Sequence, residues 1–149
     1  MKFSNDAENL LAKAGWHEGR AVNVSSIEES LIARGYSIAP VVHEFLQEFG
    51  GLRLKFPYDR NKGTMGLMSF NAGDAGKGLT EKVKAAYERA VGAPLCVIGM
   101  ESQDLLMMDT QGKVYSAFEQ YLELIGESGM DAIENILRGK NIRYTRMAP

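Results

Sequence analysis

Cysteine occurs once in this chain of 149 residues, at Cys96, so no internal disulfide can staple the fold. Histidine occurs twice, at His17 and His43, and neither H-x-x-x-H nor C-x-x-C spacing exists. That leaves none of the usual sequence-encoded zinc sites. The turn Asp109-Thr110-Gln111-Gly112 lacks the further acidic positions of a calcium loop. No apolar run approaches the roughly 20 residues needed to span a bilayer. The N-terminus carries Lys2 and early acids, then an amphipathic pattern, and it lacks the continuous apolar core of a signal peptide. With the single cysteine, this makes the cytosol the expected location. Repeats, low-complexity segments and Pro/Ser-rich linkers are also missing, so one domain over residues 1–149 is expected.

Catalytic signatures are equally scarce. No G-x-S-x-G turn is present to carry a serine nucleophile. Cys96 lies between Leu95 and Val97 in an apolar stretch, which suits a buried thiol better than an activated one. The stretch 71–80, NAGDAGKGLT, holds a Gly-Lys pair between a predicted strand and a predicted helix. A phosphate-binding loop needs glycine where Asn71 stands and Ser or Thr where Gly78 stands, so this reads as a flexible loop. The i,i+4 pair Glu44/Glu48 reads as a solvated helix face. No catalytic residue, cofactor site or metal site is assigned.

What is there fits a globular protein: 45% hydrophobic and 24% charged residues. Net charge is −2, unevenly placed. Arg138, Lys140, Arg143 and Arg146 give a basic segment 138–149 with no acids. That leaves 13 basic residues against all 19 acids elsewhere, a net of −6. The bulk charge gives no nucleic-acid signal, so no direct nucleic-acid partner is expected. The basic segment reads as a solvated last strand or frayed end, with a nucleic-acid or anionic-surface contact as its alternative.

The most legible stretch is 41–54, VVHEFLQEFGGLRL. Val42, Phe45, Leu46 and Phe49 fall at i, i+3, i+4 and i+7, one apolar face of a helix. Gly50 and Gly51 end it, glycine taking the left-handed C′ conformation. Leu52 and Leu54 alternate with Arg53 and Lys55, the period of a half-buried strand. Ahead of it, a first helix begins near Ser4 or Asn5, where Asn5 and Glu8 have capping-box spacing. Ser25 or Ser26 caps a second, and Pro40 suits the first turn of the third.

Beyond it, strands are expected over 52–56 and 64–70, with 57–63 as a polar loop. A helix from about Thr80 presents Val83, Ala86, Tyr87 and Ala90 on one face. A buried strand spans 94–100, and a hairpin pairs 104–108 with 113–117. A further strand runs over 121–125. A last helix is capped by Ser128 with Asp131, and Ile142 and Tyr144 suit a closing strand. Helices first, then strands joined by hairpins, argue α+β with a mainly antiparallel sheet flanked by helices. Met65, Met68, Met100, Met107 and Met108 cluster in the strands, read as adaptable core filler with a methionine-rich recognition surface as the alternative.

The loop Glu101-Ser102-Gln103-Asp104, set between strands, and Tyr58-Asp59 in the polar loop are the candidate contact segments, because loops on a rigid sheet concentrate binding residues. Tyr58, Asp59, Glu101, Ser102 and Asp104 are therefore the nominated partner-binding residues.

Four ordered motifs carry a resemblance. They are Gly15-Trp16-x-x-Gly19-Arg20, then Phe45-Leu46-x-x-Phe49-Gly50-Gly51-Leu52, then Leu95-x-x-Ile98-Gly99, then Leu105-Leu106-x-x-Asp109-x-x-Gly112-x-Val114-Tyr115. Together they resemble the SUKH superfamily over residues 7–138, closest to the branch with the G-W-x-x-G-R turn. The resemblance implies an α+β fold with a central antiparallel sheet. It also implies an immunity protein that binds a cognate toxin, often a nuclease, of a bacterial polymorphic toxin system, and it implies no catalytic role for the motif residues. A regulatory or scaffold interaction protein on the same fold is the alternative, and a nucleotide-binding enzyme using 71–78 the third.

Overall fold

The computed structural model describes residues 3–59, 64–138 and 145–146. Three helices come first: α1 (Asn5–Ala14), α2 (Ser25–Ala33) and α3 (Pro40–Phe49). Strands β1 (Arg53–Asp59) and β2 (Thr64–Ser69) precede α4 (Glu81–Val91). Then follow β3 (Leu95–Glu101), β4 (Asp104–Asp109), β5 (Val114–Phe118), β6 (Tyr121–Gly126), α5 (Gly129–Leu137) and a two-residue β7 (Thr145–Arg146). The strands lie side by side in chain order, every neighbouring pair antiparallel. This is the α+β arrangement the element order predicts. The expected closing strand at Ile142 and Tyr144 lies outside the described residues. Strand β1 continues through Pro57 to Asp59, so those residues are strand rather than loop.

The helix starts decide one expected cap and correct another. Ser4, not Asn5, caps α1: its Oγ accepts from the Ala7 amide at 3.3 Å and donates to Glu134 of α5 at 2.8 Å. One hydroxyl thus serves both the helix end and a tertiary contact, which residue spacing does not reveal. Helix α2 has no side-chain cap at all; instead the Asn23 side chain accepts from the Ser25 amide at 2.9 Å just ahead of it. Ser128 does cap α5, accepting from the Asp131 amide.

Helix α3 buries Val42, Phe45, Leu46 and Phe49, the face its periodicity defines. The two glycines after it divide the work differently from expectation. Gly51 takes the positive φ of +84°, whereas Gly50 is extended at φ −57°. Gly50 is needed for close approach, because a Cβ there would run into the Leu46 carbonyl. Phe45 and Phe49 join Phe3, Trp16 and Phe70 in one aromatic cluster, with centroid spacings of 4.9–6.4 Å. Each such pair contributes about 1 kcal/mol beyond its area burial.

The G-W-x-x-G-R turn clamps the end of α3. Arg20 donates to the carbonyls of Glu48 at 2.6 Å and Gly50 at 2.9 Å, and the Trp16 indole donates to the Glu48 carboxylate at 3.0 Å. A cation at a helix C-terminus satisfies orphan carbonyls and opposes the helix dipole. Glu48 is therefore engaged with the turn rather than simply solvated.

Helices cover both faces of the sheet. A Cβ on Gly129, at the start of α5, would collide with Phe45 and approach Met108. A Cβ on Gly76 would instead meet Leu105 and Val97. Met108 and Leu105 stand three residues apart on an unbroken stretch of β4, so they face opposite sides. Helices α3 and α5 thus lie on one face, and the 71–78 segment with α4 on the other. Met68, Met107 and Met108 are core residues, whereas Met65 is 56% exposed and is not filler.

Candidate protein-binding site

Because the sheet is a simple meander, its odd-to-even turns fall at one end. The β3–β4 turn (Ser102, Gln103) and the β5–β6 turn (Glu119, Gln120) stand level, since Leu105 pairs with Ala117. The β1–β2 ribbon reaches further. Met68 pairs with Glu101, yet β1 and β2 remain paired out to Asp59 and Thr64. Four residues at about 3.3 Å each carry the ribbon about 13 Å past Glu101, the end of β3. The topology therefore brings the two nominated segments to the same rim. The backbones of Tyr58 and Asp59 close β1, and Ser102 is exposed in the next turn.

Glu101 and Asp104 differ from the loop residues expected. Both lie on strands, as the last residue of β3 and the first of β4. Asp104 is half-buried and accepts from the Ser116 hydroxyl at 3.1 Å. Glu101 is only 4% exposed, and its Oε1 has no hydrogen-bond partner among the described residues. Burial, reinforced by the negative charge of Asp104, pushes its carboxyl up to about 7. As placed, Glu101 lies beneath the rim rather than on it.

Both two-residue turns hold an L-residue in a left-handed conformation: Ser102 at φ 52° and Glu119 at φ 52°. Hairpins normally give that slot to glycine. The Tyr87 hydroxyl of α4 donates to the Glu119 carbonyl at 2.7 Å and fixes the second turn to the helix. Behind the turns lies an open groove of about 500 Å³. Its floor is one cross-strand row, Met100, Leu105 and Ala117. Val83 and Tyr87 of α4 form one wall, 74–78 closes the end, and Gln103, Phe118 and Glu119 form the lips.

The 71–78 segment is tied to α2 by side-chain hydrogen bonds. Arg34 donates to the Ala75 carbonyl at 3.1 Å and to those of Ala72 and Gly73 at 3.4 Å. Asn71 donates to Asp74 at 2.8 Å, and Lys77 pairs with Asp74 at 2.8 Å. The hydrogen bond from Lys77, then its charge, holds the Asp74 carboxyl below its ordinary value. A carboxylate at this point opposes a bound phosphate, in keeping with the missing phosphate-loop residues.

Elsewhere the chemistry is quiet. Cys96 is buried, and burial pushes its thiol up to about 12. Among the described residues, no group of three or more His, Cys, Asp or Glu is placed to hold a metal. His43 is not a free surface residue, since its Nδ1 pairs with Glu28 of α2. Among the described residues, no helix is long and apolar enough to cross a membrane.

Sequence reasoning nominates the segment holding Gln103 but misses Val83, Phe118 and Glu119. Its spacing puts Val83 on the apolar face of α4, but only Tyr87 of that face is buried, and Val83 is 37% exposed. Phe118 sits beside the polar turn Glu119-Gln120, an aromatic against a turn being the one local signal. The chain is an α+β scaffold that turns a polar rim and an apolar groove to solvent. More particularly, the chain belongs to the SUKH-3 immunity protein family, whose family model matches residues 3–139. No curated protein and no solved structure matches the chain.

Proposed function

We propose that this protein is a cytoplasmic, non-enzymatic immunity factor that binds and neutralises a cognate toxin domain, a nuclease, of a bacterial polymorphic toxin system. The observation that carries the reading is the family match across residues 3–139. Nucleases attract polyanions, so their clefts are basic. A body with a net charge of −6 outside the C-terminal segment is drawn to such a cleft and gains on-rate from charge complementarity. The chain acts as one domain over 1–149 and needs no cofactor. Its toxin contacts come from the hairpin rim: Tyr58 and Asp59 on the projecting ribbon, Ser102 and Asp104 at the neighbouring turn, and Glu101 beneath it.

The test is co-expression with the C-terminal domain of a toxin encoded beside the gene. Growth rescue together with a co-purifying complex supports the reading. A toxin that kills regardless and never co-purifies refutes it.

A further inference from the structure

We propose that the groove beside α4 is the seat for the toxin, taking an apolar side chain that the toxin presents next to a cationic one. The inference rests on the toxin-binding reading above and adds the surface and the chemistry of the contact.

The floor row is unevenly covered. Met100 and Leu105 are only half-buried, whereas their strand neighbours Ile98 and Leu106 are each 1% exposed. Val83 on the wall and Phe118 on the lip are each 37% exposed. Large apolar groups thus face water on three sides of one trough, where a partner side chain removes them from solvent. About 500 Å³ falls within the usual range of ligand clefts, about 300–1,000 Å³. Small-molecule sites converge several polar groups on their ligand. Here the floor is apolar and the polar groups stand at the rim, which suits the tip of a protein surface.

Charge selects the flank. Three charged side chains line the groove. Asp74 and Lys77 neutralise one another at 2.8 Å. The Glu119 carboxylate makes no ion pair among the described residues and is left to meet a cation. A second copy of this chain fits poorly, because a two-fold pairing through this face would bring like-charged Glu119 lips together. The lip is also preorganised, its backbone fixed by the Tyr87 bond, so seating a partner there orders little.

The experiment measures affinity for the purified toxin domain by calorimetry, with thermal melts of each variant as a folding control. Val83→Asp, Phe118→Ala and Glu119→Lys are compared with Ile32→Asp, an exposed site on α2 outside the groove. The three groove variants are expected to weaken binding at least about tenfold, and Ile32→Asp less than about twofold. Glu119→Lys also flattens the salt dependence. Because Glu119 is exposed at a turn, its reversal tests the contact even where Val83→Asp fails to fold.

Wild-type affinity in Phe118→Ala and Glu119→Lys overturns the groove while leaving the toxin-binding reading intact. So does a wild-type dimer in sedimentation that Val83→Asp disperses with toxin affinity unchanged. No binding by the wild type removes the reading itself, and the groove with it.

Discussion

Replacing Glu101 by glutamine stabilises this protein, and the gain grows with pH. Glu101 pairs across the sheet with Met68 on one side and Asp104 on the other, and it is 4% exposed. Its carboxyl is raised from 4.5 to about 7, first by burial and then by the charge of Asp104. A carboxyl with a raised folded value holds its proton longer in the native state than in the unfolded chain. Stability therefore falls as pH climbs from 4.5 through 7 and levels off above. A displacement of about 2.5 pH units corresponds to about 3 kcal/mol. Glutamine keeps the shape and removes the charge. The advantage of Glu101→Gln is therefore expected to rise from about 1 kcal/mol at pH 5 to about 3 kcal/mol at pH 8. At pH 8 that is about 6–10 °C in melting temperature for a chain of this size. Urea unfolding at both pH values, with equal slopes for the two proteins, reads it directly. Groups that titrate alike in both proteins cancel in the difference. A gap that does not change with pH, or a variant less stable at pH 8, refutes the account.

Arg20→Lys is expected to cost about 2 kcal/mol in the same assay, because an ammonium cannot span the two carbonyls that close α3. Toxin affinity should be unchanged. Gly66→Ala is expected to cost about 1–3 kcal/mol, since the new Cβ would sit 2.5 Å from the ring of Phe56, its cross-strand partner, and the ring must move. Cys96 should stay unlabelled by a thiol reagent at pH 8 in the native protein and react once denaturant is added, its thiol being buried and raised to about 12. Ser102→Gly and Glu119→Gly are each expected to raise stability by about 0.5–1 kcal/mol by removing an L-residue from φ 52°. The melting temperature of each checks this.

Features set by local chemistry were legible. The α3 face follows from i, i+3, i+4, i+7 spacing, and the β4–β5 hairpin from its Asp-x-x-Gly turn. There Asp109 accepts from the amides of Gln111 and Lys113 at 2.9 and 3.0 Å. Where two partners compete for one group, spacing misleads: Ser4 outranks Asn5 as a cap because it also reaches Glu134. The glycine-rich stretch reads as flexible until Arg34, some 40 positions earlier, gathers its carbonyls. The groove needs α4, three strands and two turns together, and no window of sequence contains it. Glu101 reads as a loop carboxylate because the turn beside it is only two residues long, which leaves its strand position to be decided by register.

The placement of energetic cost separates scaffold from specificity. Trp16, Arg20, Phe45 and Phe49 are engaged with the aromatic face and the end of α3, where each bond or ring contact adds stability. The opposite face and the rim hold what a purely stability-driven sequence would discard. These are a buried carboxylate with an unpartnered oxygen, two L-residues in glycine's conformation, and exposed Val83 and Phe118. Each destabilises the free protein, and each is simple to remove by substitution, so their concentration in one region calls for a compensating gain elsewhere. A bound partner supplies it by covering the apolar walls and bringing a cation to the carboxylates. If that is the origin of the cost, Glu119→Gly strengthens the fold and weakens the complex. Arg20→Lys does the reverse, weakening the fold and leaving the complex alone. The two opposed outcomes on one scaffold distinguish a binding rim from a merely imperfect one.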